Sequence, residues 1–346
     1  VGRHSRSCGQ VHEPLQQDFE EVIELDDLYK RCISVHLFLC QKANTSTTMK
    51  KTLLALLSLV LLASCNETGG SNTPAIDPDN KNANTAHSGK YATRTEIPAI
   101  ENGDLFLSHT TTVNGKENIT YSIAHNPARK HCRWTAFTFD PSNRAIRWKR
   151  DNWDNTEWGG DPFQPCPDMP DEYVMTKSEI NHNGFVRGHI VASYDRVYSQ
   201  DANEQTFYYS NISPMYSRFN TGAWSDCEGL VQGWGRNSGF CDTLYVVKGG
   251  TIREGEYRTV GSCPTVPNYY FMALLCLKNN TYKSIGLLFK HVNGNSQTEV
   301  CSIDFLERFT GIDFFCNIPD KVENITERQY NTGLWSGLYN YIEAEE

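Results

Sequence analysis

A chain of 346 residues with 39% hydrophobic and 12% aromatic side chains has ample material for the packed core of one large or two ordinary domains, which excludes disorder throughout. Its formal charge of −9 excludes a protein that wraps nucleic acid by bulk electrostatics, because that mode neutralises phosphates with Lys and Arg. An enzyme that holds its substrate briefly needs only a local basic site. Arg129-Lys130-His131 with Arg133, and Arg144, Arg147, Lys149 and Arg150, could form one, with a solvated strand edge as the alternative reading.

In chain order, the first organised feature starts at Met49, where Lys50-Lys51 precede the apolar stretch Leu53 to Ala63 and then Ser64-Cys65. This reads as a signal peptide; a membrane span would need about 20 apolar residues. Leu62-Ala63-Ser64-Cys65 resembles the bacterial lipobox, so Cys65 is the expected lipidation site, the alternative being a buried helix or an uncleaved anchor. Residues 1–48 are read as a spurious or non-mature extension, 49–65 as the lipoprotein signal, 66–90 as a flexible tether rich in Asn, Thr, Gly, Pro and Ser, and 91–346 as the folded domain. The location that follows is the bacterial cell envelope, periplasmic or surface-exposed, with the membrane as a partner through the lipid. Setting aside Cys8, Cys32, Cys40 and Cys65, the remaining cysteines are Cys132, Cys166, Cys227, Cys241, Cys263, Cys276, Cys301 and Cys316. An even number in an exported domain predicts disulfides without selecting their pairing, and the wide spacings argue against zinc.

Alternating apolar and polar residues predict strands over Asn118–His125 and Arg133–Asp140, and Asp140-Pro141-Ser142-Asn143 supplies a turn before another strand around Ala145–Lys149, giving a meander. Asp151 to Asp171, with Gly159-Gly160 and four prolines, is loop. Gly184 to Ile190 is a short extended segment in which Arg187 and His189 face one side, while Gly188 allows close backbone approach. Ala223, Trp224, Cys227, Leu230, Val231 and Trp234 form an apolar stripe at helical spacing, so a helix starts at Ala223 with Asn220 at its N-terminal edge. Thr243–Gly249, Tyr269–Leu277 and Tyr282–Phe289 are apolar enough for central strands, and Ser302–Phe309 is helical. Strands with a few segregated helices mean an α+β fold.

The residues around Arg187 have the chemistry for a phosphodiester. Arginine forks onto phosphate oxygens, and a neutral histidine takes a proton from water near neutral pH. An isolated Arg-x-His is commonly surface decoration, so the following residues decide. Asn220 is either an N-cap or, through its side-chain carbonyl, a ligand for a hard cation such as Mg²⁺. Glu228 would lie about 12 Å further along an ideal helix and roughly 80° around it. That is too far to chelate the same ion directly, so it would act on the ion's water shell, a solvated helix acid being the bland alternative.

Arg187-Gly188-His189, Asp195-Arg196, Thr206-Phe207-Tyr208, Ser210-Asn211-Ile212-Ser213-Pro214, Asn220-x-Gly222-Ala223-Trp224 and Glu228, in that order, resemble the DNA/RNA non-specific endonuclease family of the ββα-metal (His-Me finger) superfamily. Arg133 to Phe137 resembles the family's early strand, Leu244 to Gly250 its later one, and Ile303–Glu307 with Thr310–Phe315 its closing unit. The resemblance implies a ββα-metal finger in a mixed, mainly antiparallel sheet with a few flanking helices, and DNA and RNA as substrates. It also implies one Mg²⁺ or Mn²⁺ held by Asn220, His189 as general base, Arg187 bracing the phosphate or the local geometry, Asn211 orienting His189 or its loop, and Glu228 ordering the metal's water. Asp195-Arg196 is read as an ion pair fixing the loop after the catalytic strand. Two positions depart from the family pattern: Val186 stands where Asp is common and Met215 where Gln is common. They motivate the alternative of a catalytically degenerate nucleic-acid-binding or adhesive surface lipoprotein. A toxin with an immunity partner is a further variant of the enzyme reading.

Overall fold

Seven strands form one sheet in the order β1 (Leu105–Val113), β2 (Lys116–Asn126), β3 (His131–Phe139), β6 (Thr243–Gly250), β9 (Tyr269–Lys278), β10 (Thr281–Lys290), β11 (Thr298–Cys301), every neighbouring pair antiparallel. This computed structural model describes residues 80–87, 89–149, 160–181 and 183–338, all within the second of the chain's two units, Ile76–Glu346. The extension, the signal segment with Cys65 and most of the tether lie outside the described residues. Between β3 and β6 the chain makes an excursion that carries α1 (Lys177–Asn181), β4 (Val186–His189), α2 (Gln200–Gln205), β5 (Ile212–Met215) and α3 (Ser225–Arg236). A second small ribbon, β7 (Tyr257–Val260) with β8 (Cys263–Pro267), follows β6, and α4 (Ile303–Thr310) and α5 (Asp320–Glu327) close the fold.

The central strands are apolar without alternation because both faces of the sheet are covered. On β9, Tyr270, Met272, Leu274 and Cys276 face a core shared with Phe137, Leu244 and Val246 and with Trp224, Val231 and Trp234 from the α3 side. Phe271 points the other way and meets Phe314 beyond α4. A Cβ at Gly286 of β10 would sit 3.3 Å from Leu306 of α4, so glycine there permits the helix its close approach. The α+β reading holds, and the strands expected at Thr243, Tyr269 and Tyr282 are β6, β9 and β10.

The early meander differs from expectation. Its third member is β1, which precedes β2, whereas Ala145–Lys149 is not a strand. The Arg147 and Trp148 amides donate instead to the Val197 carbonyl, and Arg144 caps the carbonyls of Cys241 and Asp242. The end of the supposed tether is also bound. Asn80 donates to the carbonyls of Cys316 and Ile318 at 2.9 and 2.7 Å, and Asn82 donates to Asp313 and Glu323. The Asn-rich segment thus supplies three asparagine donors, Asn80, Asn82 and Asn84, and Asn317 from the far end of the domain donates back to the Arg94 carbonyl.

The disulfide expectation is corrected. All eight described cysteines are buried and none is in a disulfide; they are spread over strands, loops and the α3 helix, and most of them pack as small apolar side chains. Their even number reflects core composition and not covalent pairing.

Candidate active site

β4 and β5 pair antiparallel with Val186 opposite Met215, Arg187 opposite Pro214, Gly188 opposite Ser213 and His189 opposite Ile212. A Cβ on Gly188 would lie 2.3 Å from the Met215 sulfur and 3.0 Å from its Cβ, so the bare glycine is the seat on which Met215 packs. Arg187 and His189 project from the opposite face of the hairpin. The two departures from the family pattern are therefore one feature. Val186 and Met215 are cross-strand partners on the core side, Met215 fully buried and Val186 packed against the same cluster, and neither shares a strand face with His189.

The third element begins earlier than its apolar stripe. A short α-helical turn, Ser217–Phe219, runs into one wide π-type turn, Asn220–Trp224, and then into α3. Gly222 breaks the helical backbone there with φ −108° and ψ −117°. Asn220 itself is helical, so the N-cap role is excluded; its backbone N–H is already satisfied by the Tyr216 carbonyl at 2.9 Å. Wide turns of this kind concentrate at functional sites because they displace a side chain from the regular helical rows. Trp224 anchors the turn: it is 1% exposed, and its indole N–H donates to the His189 carbonyl at 3.1 Å, fastening helix to strand.

The end of β4, the segment that follows it and the helix enclose a cleft of about 490 Å³ that His189, Asn220 and Glu228 line together. Among the described residues the Asn220 amide has no hydrogen-bond partner, which leaves its carbonyl oxygen available. Also among them, no group of three or more His, Cys, Asp and Glu is arranged to hold an ion. Among the cleft's lining residues, Asn220 offers a free amide oxygen and Glu228 a carboxyl that can face an ion's water shell, which suits a hard divalent cation keeping most of its waters. The His189 ring lies between aromatic neighbours, with centroids 5.3 Å from Phe163 and 4.9 Å from Phe207.

Beneath Glu228 lies a buried ion cluster. Lys248 of β6, with no exposed side-chain surface, is 2.8 Å from Asp195 and 3.4 Å from Glu228. Asp195 also accepts from the Ala192 amide at 3.0 Å and from Gln232 at 2.9 Å. Burial pushes the Glu228 carboxyl up to about 7, against the pull of Lys248 and with the help of repulsion from Asp195. For Lys248, burial favours the neutral amine, but Asp195 and Glu228 outweigh it and hold its pKa above the ordinary lysine value. Lys248 is the functional residue that sequence reading missed. Its signal was a lone charge inside the apolar run Leu244 to Gly250.

The remaining expected site residues make contacts that hold neighbouring segments together. Arg187 Nη1 bonds both oxygens of Asp161 at 3.0 and 2.9 Å, and its guanidinium lies 3.9 Å from the centroid of Phe163, the ring beside His189. The contact it makes here is a salt bridge to Asp161, one of the two kinds of bracing expected of it. Asn211 spends its amide on Val191, accepting at 2.9 Å and donating at 2.9 Å, and on the Thr206 carbonyl at 2.7 Å, so it fixes the loop that follows His189. Asp195 and Arg196 do not pair with each other as expected. Asp195 belongs to Lys248, whereas Arg196 donates to the carbonyls of Thr120 and Thr138 and packs on Phe137 and Phe139. Among the described residues neither basic run lines the cleft: Arg133 pairs with Asp104 and Glu101, Arg129 with Glu254, and Lys130 with Glu179.

Comparison with known proteins bears on the family. The profile of the DNA/RNA non-specific endonuclease family matches residues 101–321. Mitochondrial nuclease EXOG of Xenopus laevis is 30% identical over 32% of this chain and 33% of its own length. A nuclease of Nostoc is 24% identical over 60% of this chain and 75% of its own. The solved EndoG/EndoGI complex has a chain at TM-score 0.49 and 18% identity, covering 62% of this chain and 89% of that one. The first three relatives, all mitochondrial nucleases, are matched over only 33% to 58% of their own length. Because the family profile spans most of the sequence, the chain belongs to the DNA/RNA non-specific endonuclease family.

Proposed function

We propose that the protein is a metal-dependent endonuclease that hydrolyses phosphodiester bonds of DNA and RNA with little sequence preference. The observation that carries this is the meeting of His189, Asn220 and Glu228 on one cleft, in a chain of this family. His189 accepts the proton of the attacking water, its ring held by Phe163 and Phe207 and its backbone by Trp224. Asn220 offers its free amide oxygen to Mg²⁺ or Mn²⁺, and Glu228, charged above about pH 7, orders the water around the ion. A divalent cation bound there supplies charge stabilisation at the phosphate and the leaving oxygen. Arg187 and Asn211 hold the strand and its following loop in place. A site that reads phosphate and sugar carries no base information, which accounts for indifference to sequence.

The test is to incubate the purified protein with supercoiled plasmid and with RNA, with Mg²⁺ and with a chelator. Cleavage of both substrates that chelator abolishes is the expected result; cleavage insensitive to chelator overturns the metal assignment, and no cleavage of either overturns the reading. For location, we propose export and a lipid anchor on Cys65, on the strength of the Met49 to Cys65 sequence alone. Cys65→Ala should release the protein from the membrane fraction, and unchanged fractionation would refute the anchor.

A further inference from the structure

Among the described residues lining the cleft there is no lysine or arginine. Arg187 and Arg196, which flank His189 in sequence, are engaged elsewhere, Arg187 with Asp161 and Arg196 with the Thr120 and Thr138 carbonyls, while Arg236 is held against Tyr194. A polyanion entering this cleft therefore needs a grip other than side-chain cations. The wall of the cleft supplies one in Tyr194.

Tyr194 sits on a single 3₁₀ turn, Ser193–Arg196, whose other residues explain its position. Asp195 and Arg196 are drawn into the core at 1% and 0% exposure, and this rotation leaves Tyr194 at 48% exposure beside His189 and Glu228. The ring is not loose. The Arg236 guanidinium lies 4.5 Å from its centroid and donates to the Tyr194 carbonyl, so a cation from the end of α3 backs the ring while much of it faces solvent. A fixed, half-exposed aromatic ring in a cleft without basic side chains is a platform for a flat apolar partner, and in a nucleic acid that partner is a base.

We propose that Tyr194 is a nucleobase-stacking residue and that it makes the cleft favour unpaired nucleotides over intact duplex. This rests on the nuclease reading and narrows its substrate. In a duplex the faces of the bases are already stacked on their neighbours and must be pulled out at a cost; in a single strand they are free to lie on a protein ring. Every base has such a face, so stacking adds affinity without sequence preference.

The experiment compares kcat/KM on a short single-stranded oligonucleotide and on the duplex of the same sequence, with Mg²⁺, for the wild type, Tyr194→Phe and Tyr194→Ala. Binding of the same fluorescein-labelled oligonucleotides to His189→Ala, with and without Tyr194→Ala, is followed by anisotropy. The expected result is a loss of about 5- to 150-fold on the single strand for Tyr194→Ala, carried by KM. That loss should exceed the duplex loss by at least about fivefold, Tyr194→Phe should stay within about twofold of wild type, and anisotropy should show a parallel loss of single-strand affinity. Equal losses on both substrates would overturn the proposal, and so would a Tyr194→Phe defect as deep as that of Tyr194→Ala, which would assign the effect to the hydroxyl. A wild type that cleaves neither substrate sinks the nuclease reading, while the anisotropy series still decides whether the ring binds bases.

Discussion

His189→Ala should lower kcat/KM on DNA and on RNA alike by about 10²–10⁴, the range for removing a positioned general base. The loss should fall on kcat, because the ring is assigned to a proton transfer made in the transition state and not to holding the substrate. The backbone contact that ties this strand to the helix survives the change, since Trp224 donates to the main-chain carbonyl of residue 189 and not to the imidazole. What disappears besides the base is the packing of the ring between Phe163 and Phe207, worth about 0.5–1.5 kcal/mol per aromatic contact. A thermal melt alongside the kinetics therefore separates the two effects: the variant should melt only slightly below wild type while its turnover collapses. A folded His189→Ala enzyme with activity within tenfold of wild type would show that the base lies elsewhere, and the proposed division of labour in the cleft would fail with it.

How far the sequence disclosed this site depends on the range over which each interaction acts. The placement of His189, Asn220 and Glu228 was legible because strand alternation and a local apolar stripe fix their offsets, but what singled them out was the ordered resemblance to the family. β9 and β10 were legible as unbroken apolar runs. The start of the helix was not, because Ser217-Arg218-Phe219 contributes one apolar residue and Gly222 then disrupts the period, so the pattern declares itself only from Ala223. β1 was missed because Leu-Phe-Leu-Ser-His-Thr-Thr-Thr-Val mixes polar and apolar residues on an outer, half-buried strand. Arg187 with Asp161 and Lys248 with Asp195 are pairs joined only by the fold, across 26 and 53 residues, and no local pattern announces them. The Val186 and Met215 departures looked like two separate losses near the base. The register makes them one apolar pair on the far face of the hairpin, which removes the main support for a degenerate site.

Lys248→Met should be the most destabilising single change near the site, at about 3–5 kcal/mol, because it leaves Asp195 buried without its counter-ion. For a domain of this size that corresponds to a fall in Tm of about 6–20 °C. The pH dependence follows from the same cluster. Lys248 has its pKa raised in the fold, so its contribution is present through neutral pH and is lost only as the pH rises through that folded value. Glu228 is a carboxyl raised from 4.5 to about 7, so its contribution is full below 4.5 and is lost as the pH rises through about 7. Removing Lys248 takes away the cation that opposes this rise, so Glu228 should ionise later and the acid limb of the activity profile should move to higher pH. The stability deficit should correspondingly be larger at pH 8 than at pH 4, where Glu228 carries its proton. The companion Asp195→Asn tests the pairing: an amide still accepts from Ala192 and leaves no charge behind, so the double variant should recover most of the Tm lost by Lys248→Met. A double variant that melts as low as the sum of the single changes would mean that Lys248 does not act through Asp195, and an unmoved acid limb would separate it from Glu228.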